Sequence, residues 1–287
     1  MTTTAPHTVS VPAPDAVMAQ AQTENFPVAS RLLPAGTRAH LLAIYGFARL
    51  VDDAGDETEG NRLELLESLE ADLERVFTRS ATPHNPLLVA LRPTVAQCSL
   101  PIEAFKRLIE ANRRDQVIHR YESFEALVGY CELSANPVGE LVLGVFGAAT
   151  PERIVLSDHV CTGLQLVEHW QDVGEDYRRG RVYLPADDCA RFGVQETDLG
   201  APKASPSFRH LLAFEVARAR ELLERGAPLI RTLSGRHRFA VTAFVAGGRA
   251  ALDAVERSGF DVLGAKPRPG TMLKARALTS ALLRGGR

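Results

Sequence analysis

The chain has 287 residues, of which 45% are hydrophobic and 24% are charged, and its formal net charge at pH 7 is −2. This balance is typical of a globular protein and argues against a nucleic-acid-binding surface, which needs an excess of basic residues. The four cysteines stand about thirty residues apart without a CxxC pair. We therefore expect reduced thiols in a cytoplasmic protein, with no zinc site and no disulfide framework.

The two ends of the chain have unusual compositions. Residues 1–20 are rich in Thr, Pro and Ala and contain no Lys or Arg, which predicts a disordered tail rather than a signal peptide, followed by one domain over residues 21–287. No stretch approaches 18 consecutive apolar residues, so no membrane-spanning helix is predicted. The C-terminal segment KPRPGTMLKARALTSALLRGGR has six basic residues and no acid, which leaves open a peripheral contact with an anionic inner membrane.

Nearly every longer segment follows the 3.6-residue period of a helix, and no convincing alternating strand is present. The sequence therefore predicts a single all-α domain. Pro137 and Pro151 stand where the first turn of a helix is expected. The polar segment 185–206 is predicted as one long loop, and loops of that length are uncommon unless they are functional or mobile. The predicted helices are 36–54, 61–79, 84–97, 101–118, 122–135, 136–149, 151–179, 206–233, 237–258 and 269–284.

Two of these helices carry the same acidic spacing, DxxxD. It occurs as Asp52-x-x-x-Asp56 and again as Asp172-x-x-x-Asp176. Like charges four residues apart destabilise an isolated helix, and a single DxxxD is usually a solvated face. Both motifs, however, directly follow apolar stretches, AIYGFARLV and LQLVEHW, which favours a role inside a site.

Each acidic motif extends into a longer polar stripe at steps of three and four residues. If the two helices face each other in a bundle, these stripes converge on a cavity. Carboxylate oxygens suit Mg²⁺, and arginine forks suit a pyrophosphate. The first stripe holds Tyr45, Arg49, Asp52 or Asp53, and Asp56, the second holds Gln165, Glu168, Asp172 and Asp176, and the arginines nearby are Arg49, Arg178, Arg179 and Arg181.

The two DxxxD motifs, with GRVYLP after the second, resemble the squalene and phytoene synthase family of head-to-head isoprenyl synthases over residues 22–260. Within it, the segments TENFPVASRLLP, SANPVG and HWQDV look most like the bacterial hydroxysqualene synthase branch of the hopanoid pathway. The resemblance implies a helical bundle around a central cavity. It also implies conversion of presqualene diphosphate to hydroxysqualene without NADPH, between upstream and downstream enzymes of the squalene pathway.

The resemblance also implies roles for individual residues. About three Mg²⁺ ions would grip the diphosphate through the motif aspartates. Arg49 and the arginines at 178, 179 and 181 would neutralise the diphosphate as it leaves. Aromatic and polar side chains would line the cavity near the carbocation, with Tyr183 closing it. The implied metal ligands are Asp52, Asp56, Glu168, Asp172 and Asp176, and the implied cavity residues are Phe26, Tyr45, Tyr130, Gln165 and Tyr183.

Glu168 departs from the family pattern, which usually has Asn at this position. A carboxylate there can still bind Mg²⁺ but adds a negative charge. Two roles are open for His169 beside it: a cation that compensates the charge of Glu168, or a residue that only packs.

Three functions stay open at this level. The first is the hydroxysqualene synthase reaction. The second is condensation of two prenyl diphosphates, such as farnesyl diphosphate, to presqualene diphosphate or to a carotenoid precursor. The third is a catalytically silent relative that works as a binding subunit, for which Glu168 is the one argument.

Overall fold

The computed structural model describes residues 33–56, 60–78 and 80–270. Helix accounts for 74% of the structure, which confirms the all-α prediction. The described residues contain no strand beyond an isolated parallel bridge between Arg120 and Val182. The helices are α1 Ala35–Asp56, α2 Arg62–Phe77, α3 Pro86–Cys98, α4 Ile102–Arg114, α5 Phe124–Ser134, α6 Asn136–Val145, α7 Pro151–Arg178, α8 Ala186–Phe192, a 3₁₀ turn Glu196–Gly200, α9 Pro206–Gly226, α10 Leu229–Thr232 and α11 Gly235–Arg257.

Helix starts follow the local chemistry of the sequence. Before α7, the Thr150 hydroxyl accepts a hydrogen bond from the backbone N–H of Arg153, and Pro151 occupies the first turn. Pro137 occupies the first turn of α6 in the same way. A proline is tolerated there because its missing N–H would have had no partner inside the helix. Both first-turn predictions are confirmed.

The predicted helix 206–233 is wrong as one element, because α9 ends at Gly226 and the short α10 begins at Leu229. Pro228 cannot donate the next helical hydrogen bond, so the chain turns there. Gly226 allows a close approach to α7: a Cβ on this residue would lie 2.7 Å from the carbonyl oxygen of Leu156. The break therefore lets the end of α9 pack tightly on α7.

The predicted single loop 185–206 is also wrong, because it contains α8 and the 3₁₀ turn. Asp187 and Asp188 lie in the first turn of α8, where negative charge is favourable. Gly193 ends α8 in the left-handed conformation, with φ of 69°. Polarity and proline content concealed these short elements, each of which buries only part of its surface.

The predicted helix 101–118 ends early, at Arg114, and is followed by turns. Other predicted helices agree with the structure within a few residues at their ends. Most of the predicted helix 269–284 and the whole N-terminal tail, 1–20, lie outside the described residues. Within those residues, no helix is both long and apolar enough to cross a bilayer. All four cysteines are free thiols.

Two hydrophobic clusters form the core. One is built from α1 to α4, where Phe47 and Phe105 meet edge to face with ring centroids 5.1 Å apart. The other surrounds α7, whose fully buried Trp170 donates a hydrogen bond from Nε1 to the carbonyl of Glu215 on α9, at 3.1 Å. Residues of α6 belong to both clusters. This packing fixes the positions of α1 and α7, the two helices with the acidic motifs.

Candidate active site

The acidic residues of α1 have different surroundings. Asp53 is buried and forms an ion pair with Arg49, with Nη2 and Oδ1 2.7 Å apart. Asp52 is exposed and accepts a hydrogen bond from the Asn112 side chain at 3.1 Å. Asp52, together with Asp56, thus faces the solvent, and Asp53 packs inside.

Asp52 is exposed to solvent, yet protein atoms surround much of its carboxylate. The surrounding protein removes part of its hydration and raises its pKa to about 6, although the hydrogen bond from Asn112 and the charge of Arg49 act in the opposite direction. The neighbouring carboxylates of Asp56 and Asp53 raise the pKa further by repulsion. A positive ion placed here would relieve this repulsion.

On α7, Asp172 and Asp176 have fewer partners. Lys266, which follows the last long helix, places its Nζ 2.5 Å from Oδ2 of Asp172. The other Asp172 oxygen, Oδ1, and Oδ2 of Asp176 are buried with no hydrogen-bond partner in the described part of the chain. Burial raises the pKa of Asp176 to about 7, with Asp172 and Glu175 adding repulsion. These oxygens are free to bind a cation.

Gln165 and Glu168 continue the same stripe of α7, toward the interior. The Gln165 amide nitrogen lies 3.2 Å from Nε2 of His169. Glu168 is half-buried one turn before Asp172. The stripe predicted from the spacing is therefore present.

Arg181 joins the two acidic motifs. Its guanidinium lies 2.5 Å from Asp56 Oδ1, although the two residues are 125 positions apart in the chain. The ends of α1 and α7 are thus neighbours, and the mouth is the region between their acidic residues, Asp52 and Asp56 on α1 and Asp172 and Asp176 on α7. Arg178 and Arg179 are exposed at the end of α7, where Arg179 pairs with Glu175 at 2.9 Å. Phe26 lies outside the described residues.

Aromatic side chains form a wall directly inside this mouth. The Tyr183 ring stacks on His169 with centroids 3.7 Å apart, and on Tyr121 at 5.8 Å. Tyr130 lies 6.0 Å from Tyr183 and donates a hydrogen bond to Asp115 Oδ2 at 2.8 Å. Burial raises the pKa of all three tyrosines above their ordinary value. The wall is therefore uncharged at neutral pH.

His169 belongs to this wall as a neutral ring. Its burial lowers its pKa to about 3, and the nearby charge of Arg181 acts in the same direction. The reading of His169 as a compensating cation for Glu168 is wrong for this reason, and its packing role is confirmed by the stack on Tyr183.

An apolar cavity of about 240 Å³ lies below the mouth between α1, α6 and α7. Tyr45 and Ala48, one to two turns before Asp52, form its α1 wall, and Val142 and Leu164 belong to its other walls. Small-molecule sites combine an apolar interior of this kind with a few polar groups. The arrangement suits a ligand with a charged head at the acids and an apolar chain in the cavity.

The residues fit Mg²⁺ in donor type. All the motif side chains are carboxylates, which suit a hard cation, and two buried oxygens lack a partner. The described residues nevertheless contain no preassembled group of three or more metal-ligating side chains. Arg181 on Asp56 and Lys266 on Asp172 occupy part of the space between the acids. Metal ions would bind by replacing these internal cations, together with the ligand's phosphates.

The sequence interpretation missed four residues at this mouth: Asn112, Asp115, Tyr121 and Lys266. A signal for two of them exists on α4, whose buried residues include Leu108 and Ala111. Asn112 and Asp115 continue that buried stripe as polar residues, and buried polar groups are hydrogen-bonded or functional. Burial raises the pKa of Asp115 to about 6, against the opposing effects of Tyr130 and Arg181.

Comparison with known proteins agrees with this geometry. A sequence profile described as squalene/phytoene synthase matches residues 19–276. The chain belongs to the squalene/phytoene synthase family. Members of this family are enzymes that act on prenyl diphosphates, which have a charged head and an apolar chain.

Three relatives illustrate the match. The hydroxysqualene synthase of Rhodopseudomonas palustris is 40% identical over 72% of this chain and 70% of its own. The phytoene synthase of Arthrospira platensis is 33% identical over 91% of this chain and 89% of its own. The crystal structure of squalene synthase HpnC from Alicyclobacillus acidocaldarius superposes with a TM-score of 0.80 at 41% identity, covering 86% of this chain and 94% of that one. These relatives support head-to-head isoprenoid chemistry.

Proposed function

We propose that this enzyme converts presqualene diphosphate and water to hydroxysqualene and diphosphate, with Mg²⁺ as cofactor. The observation that carries the choice within the family is the 40% identity to a hydroxysqualene synthase. The geometry supports the chemistry, because arginines and acids, two oxygens of which lack a partner in the described ranges, surround a mouth above an apolar cavity.

Mg²⁺ held by Asp52, Asp56, Asp172 and Asp176 would supply charge stabilisation for the departing diphosphate. Glu168, one turn further in, would be an additional ligand. Arg49 and Arg181 would share the charge of the leaving group as the carbon–oxygen bond breaks. The acids bind the diphosphate only through cations, since carboxylates and phosphates repel each other.

The rings of Tyr121, Tyr130 and Tyr183 would face the cation that forms at carbon. Aromatic faces attract a cation, and this attraction is stronger where water is scarce. His169 contributes a neutral ring because its pKa is about 3, so it adds no charge that would repel the cation. Tyr45 and Gln165 would complete the wall toward the cavity.

One water ends the reaction. Its oxygen bonds to the cationic carbon and its proton is lost, so presqualene diphosphate and water give hydroxysqualene and diphosphate. No hydride is transferred, so the reaction requires no NADPH.

The second candidate is head-to-head condensation of two prenyl diphosphates. The observation in its favour is that the phytoene synthase of Arthrospira platensis aligns over 91% of this chain, a longer match than the 72% of the hydroxysqualene synthase.

The test is product analysis by mass spectrometry with purified protein and Mg²⁺. Under the proposal, presqualene diphosphate gives hydroxysqualene, the product gains two mass units in H₂¹⁸O, and farnesyl diphosphate alone is not consumed. Consumption of farnesyl or geranylgeranyl diphosphate with formation of a C30 or C40 product would establish the second candidate instead. Absence of diphosphate release from every substrate would favour a silent relative.

A further inference from the structure

The loop between α4 and α5, residues 115–121, exposes two adjacent apolar side chains. Val117 is 71% exposed and Ile118 is 39% exposed. Val117 is the most exposed large hydrophobic residue in the described ranges. Single exposed apolar residues are ordinary on protein surfaces. Val117 and Ile118 are instead a neighbouring pair, and the loop that carries them is fixed in place.

The 115–121 loop is fixed at the rim of the mouth. On one side, the Gln116 amide donates to the carbonyl of Gly55, next to Asp56, at 3.0 Å. On the other side, the carbonyl of His119 accepts from the N–H of Val182 at 2.8 Å. The loop therefore bridges the ends of α1 and α7, so its apolar pair lies beside the acidic mouth.

Basic residues surround this apolar pair. Arg114 and Arg120 flank it in sequence, and Arg120 also donates to the carbonyl of Gly180 at 2.8 Å, next to the exposed Arg178 and Arg179. Arg114, Arg120 and Arg179 form exposed ion pairs with Glu110, Glu196 and Glu175, and such pairs stabilise little, so phosphates can replace the glutamates as partners. Arg178 has no ion pair within the described ranges.

Lys266 adds a positive charge at the same rim. Lys266 is held on Asp172, at the mouth. Beyond Gly270 the sequence continues with four basic residues, no acid and several apolar residues. Basic and apolar residues together favour the surface of a membrane that contains anionic lipids.

From these features we infer that the rim of the mouth docks on an anionic lipid bilayer, with Val117 and Ile118 inserted among the headgroups and the arginines on lipid phosphates. Prenyl diphosphates are amphiphiles, and their long apolar chains partition into bilayers. Docking at this rim would bring the mouth to the membrane surface, so that the apolar chain passes between bilayer and protein with little exposure to water. The inference rests on the family's substrate class and not on which reaction the enzyme performs.

The test is sedimentation of the full-length protein, without substrate, with vesicles of phosphatidylcholine containing 25% or 0% phosphatidylglycerol. Val155 provides the matched control, since it is 57% exposed and lies about 31 Å from Asp176 along α7. We expect Val117→Glu to lower the partition coefficient on anionic vesicles at least about tenfold, because one apolar contact is lost and a repelled charge is added. We expect Val155→Glu to bind as the wild type does.

A second pair of variants tests the charges. Arg178→Gln should weaken binding to anionic vesicles about fivefold, the value of one arginine near a charged bilayer, and leave binding to neutral vesicles unchanged. Arg236→Gln, an exposed basic residue in the first turn of α11, is its control. Melting temperatures of all variants should match the wild type, since the altered side chains lie on the surface.

Three results would overturn the inference. The first is wild-type protein that does not sediment with anionic vesicles. The second is equal loss of binding in Val117→Glu and Val155→Glu, which would place the contact elsewhere. The third is a concentration-dependent dimer, seen by light scattering, that Val117→Glu abolishes while vesicle binding persists, which would make the apolar pair a contact between protein copies.

Discussion

Asp52 and Asp56 on α1 and Asp172 and Asp176 on α7 share one spacing in the sequence, yet the protein surrounds the two pairs differently. Asn112 donates to Asp52, and Arg181 bonds both oxygens of Asp56. On α7, Lys266 pairs with one oxygen of Asp172, while another oxygen of that residue and one of Asp176 are buried without a partner in the described ranges. The protein therefore provides side-chain partners for both carboxylates of the α1 pair, but only for part of the α7 pair.

This difference shows what a repeated motif alone leaves undetermined. A buried carboxylate oxygen without a partner costs free energy, and the cost is recovered only when a cation or a donor arrives. The α7 pair is therefore the part of the mouth that depends most on bound metal, whereas Asp56 of the α1 pair, through its ion pair with Arg181, also contributes to stability without metal.

The largest effect is expected for Asp172→Asn and Asp176→Asn. Each should lower turnover by roughly 10²–10³-fold or more, because charge stabilisation of the leaving group is lost. Asp176→Asn should also stabilise the metal-free protein at pH 8 by roughly 1–2 kcal/mol, since the raised pKa means that the ionised form is disfavoured in the folded state. Steady-state kinetics and urea unfolding measure the two effects, and near-wild-type turnover in both variants would refute the site.

Asp52→Asn and Asp56→Asn should also lower turnover by orders of magnitude. Their effect on metal-free stability should have the opposite sign for Asp56, because Arg181 loses its partner, at a cost of up to about 1 kcal/mol for a half-exposed pair. A double-mutant cycle with Arg181→Gln isolates this pair. A metal-free Asp56→Asn protein more stable than the wild type would contradict this difference between the two pairs.

His169 should make stability depend on pH below neutral. Its folded pKa of about 3 lies below its ordinary value, so the unfolded state binds the proton first and stability falls as the pH drops below about 6.5, by up to about 1.4 kcal/mol per pH unit. His169→Gln should reduce this slope. Identical slopes in the wild type and His169→Gln would show that His169 is not the source.

Glu168→Asn should keep turnover within a few-fold of the wild type and flatten the pH dependence of Mg²⁺ binding. Protons compete with Mg²⁺ for neighbouring carboxylates, and an amide removes one competitor. Calorimetric titration at pH 6 and pH 8 measures the change. An unaltered pH profile would mean that Glu168 does not face the metals.

The smallest effect is expected in segment 185–206, which we predict to act as a lid. Its amide hydrogens should exchange more slowly with Mg²⁺ and diphosphate bound, although α8 and the 3₁₀ turn give it order already. Equal exchange rates in both states, in α8 and in the connections around it, would remove the lid role.

The sequence was sufficient for those features that rest on periodicity. The spacing placed Asp52, Asp56, Asp172 and Asp176 on two helices, and the bundle that brings them to one mouth follows from burying their apolar stripes. Periodicity could not predict the contacts between residues that are far apart in the chain. Arg181 on Asp56 and Lys266 on Asp172 join residues 125 and 94 positions apart, and which cation meets which acid depends on packing of the whole bundle.

Two further predictions were limited because they depend on packing and burial, which a single sequence does not reveal. Pro228 was visible in the sequence, but only the close contact of Gly226 with α7 shows that the chain turns there instead of kinking. His169 had two readings because its charge depends on burial, which a single sequence does not reveal. The stack on Tyr183 decides between them.

The most direct test of the central claim is a calorimetric titration of Mg²⁺, in the presence of diphosphate, into the wild type, Asp176→Asn and Asp53→Asn. Asp53 is the matched control, because it is an acid of the same mouth region that is buried against Arg49 and assigned no metal. The account predicts saturable Mg²⁺ binding in the wild type and in a folded Asp53→Asn protein, and at least about tenfold weaker binding in Asp176→Asn, the loss of one carboxylate ligand. Equal Mg²⁺ affinity in the wild type and Asp176→Asn would contradict it.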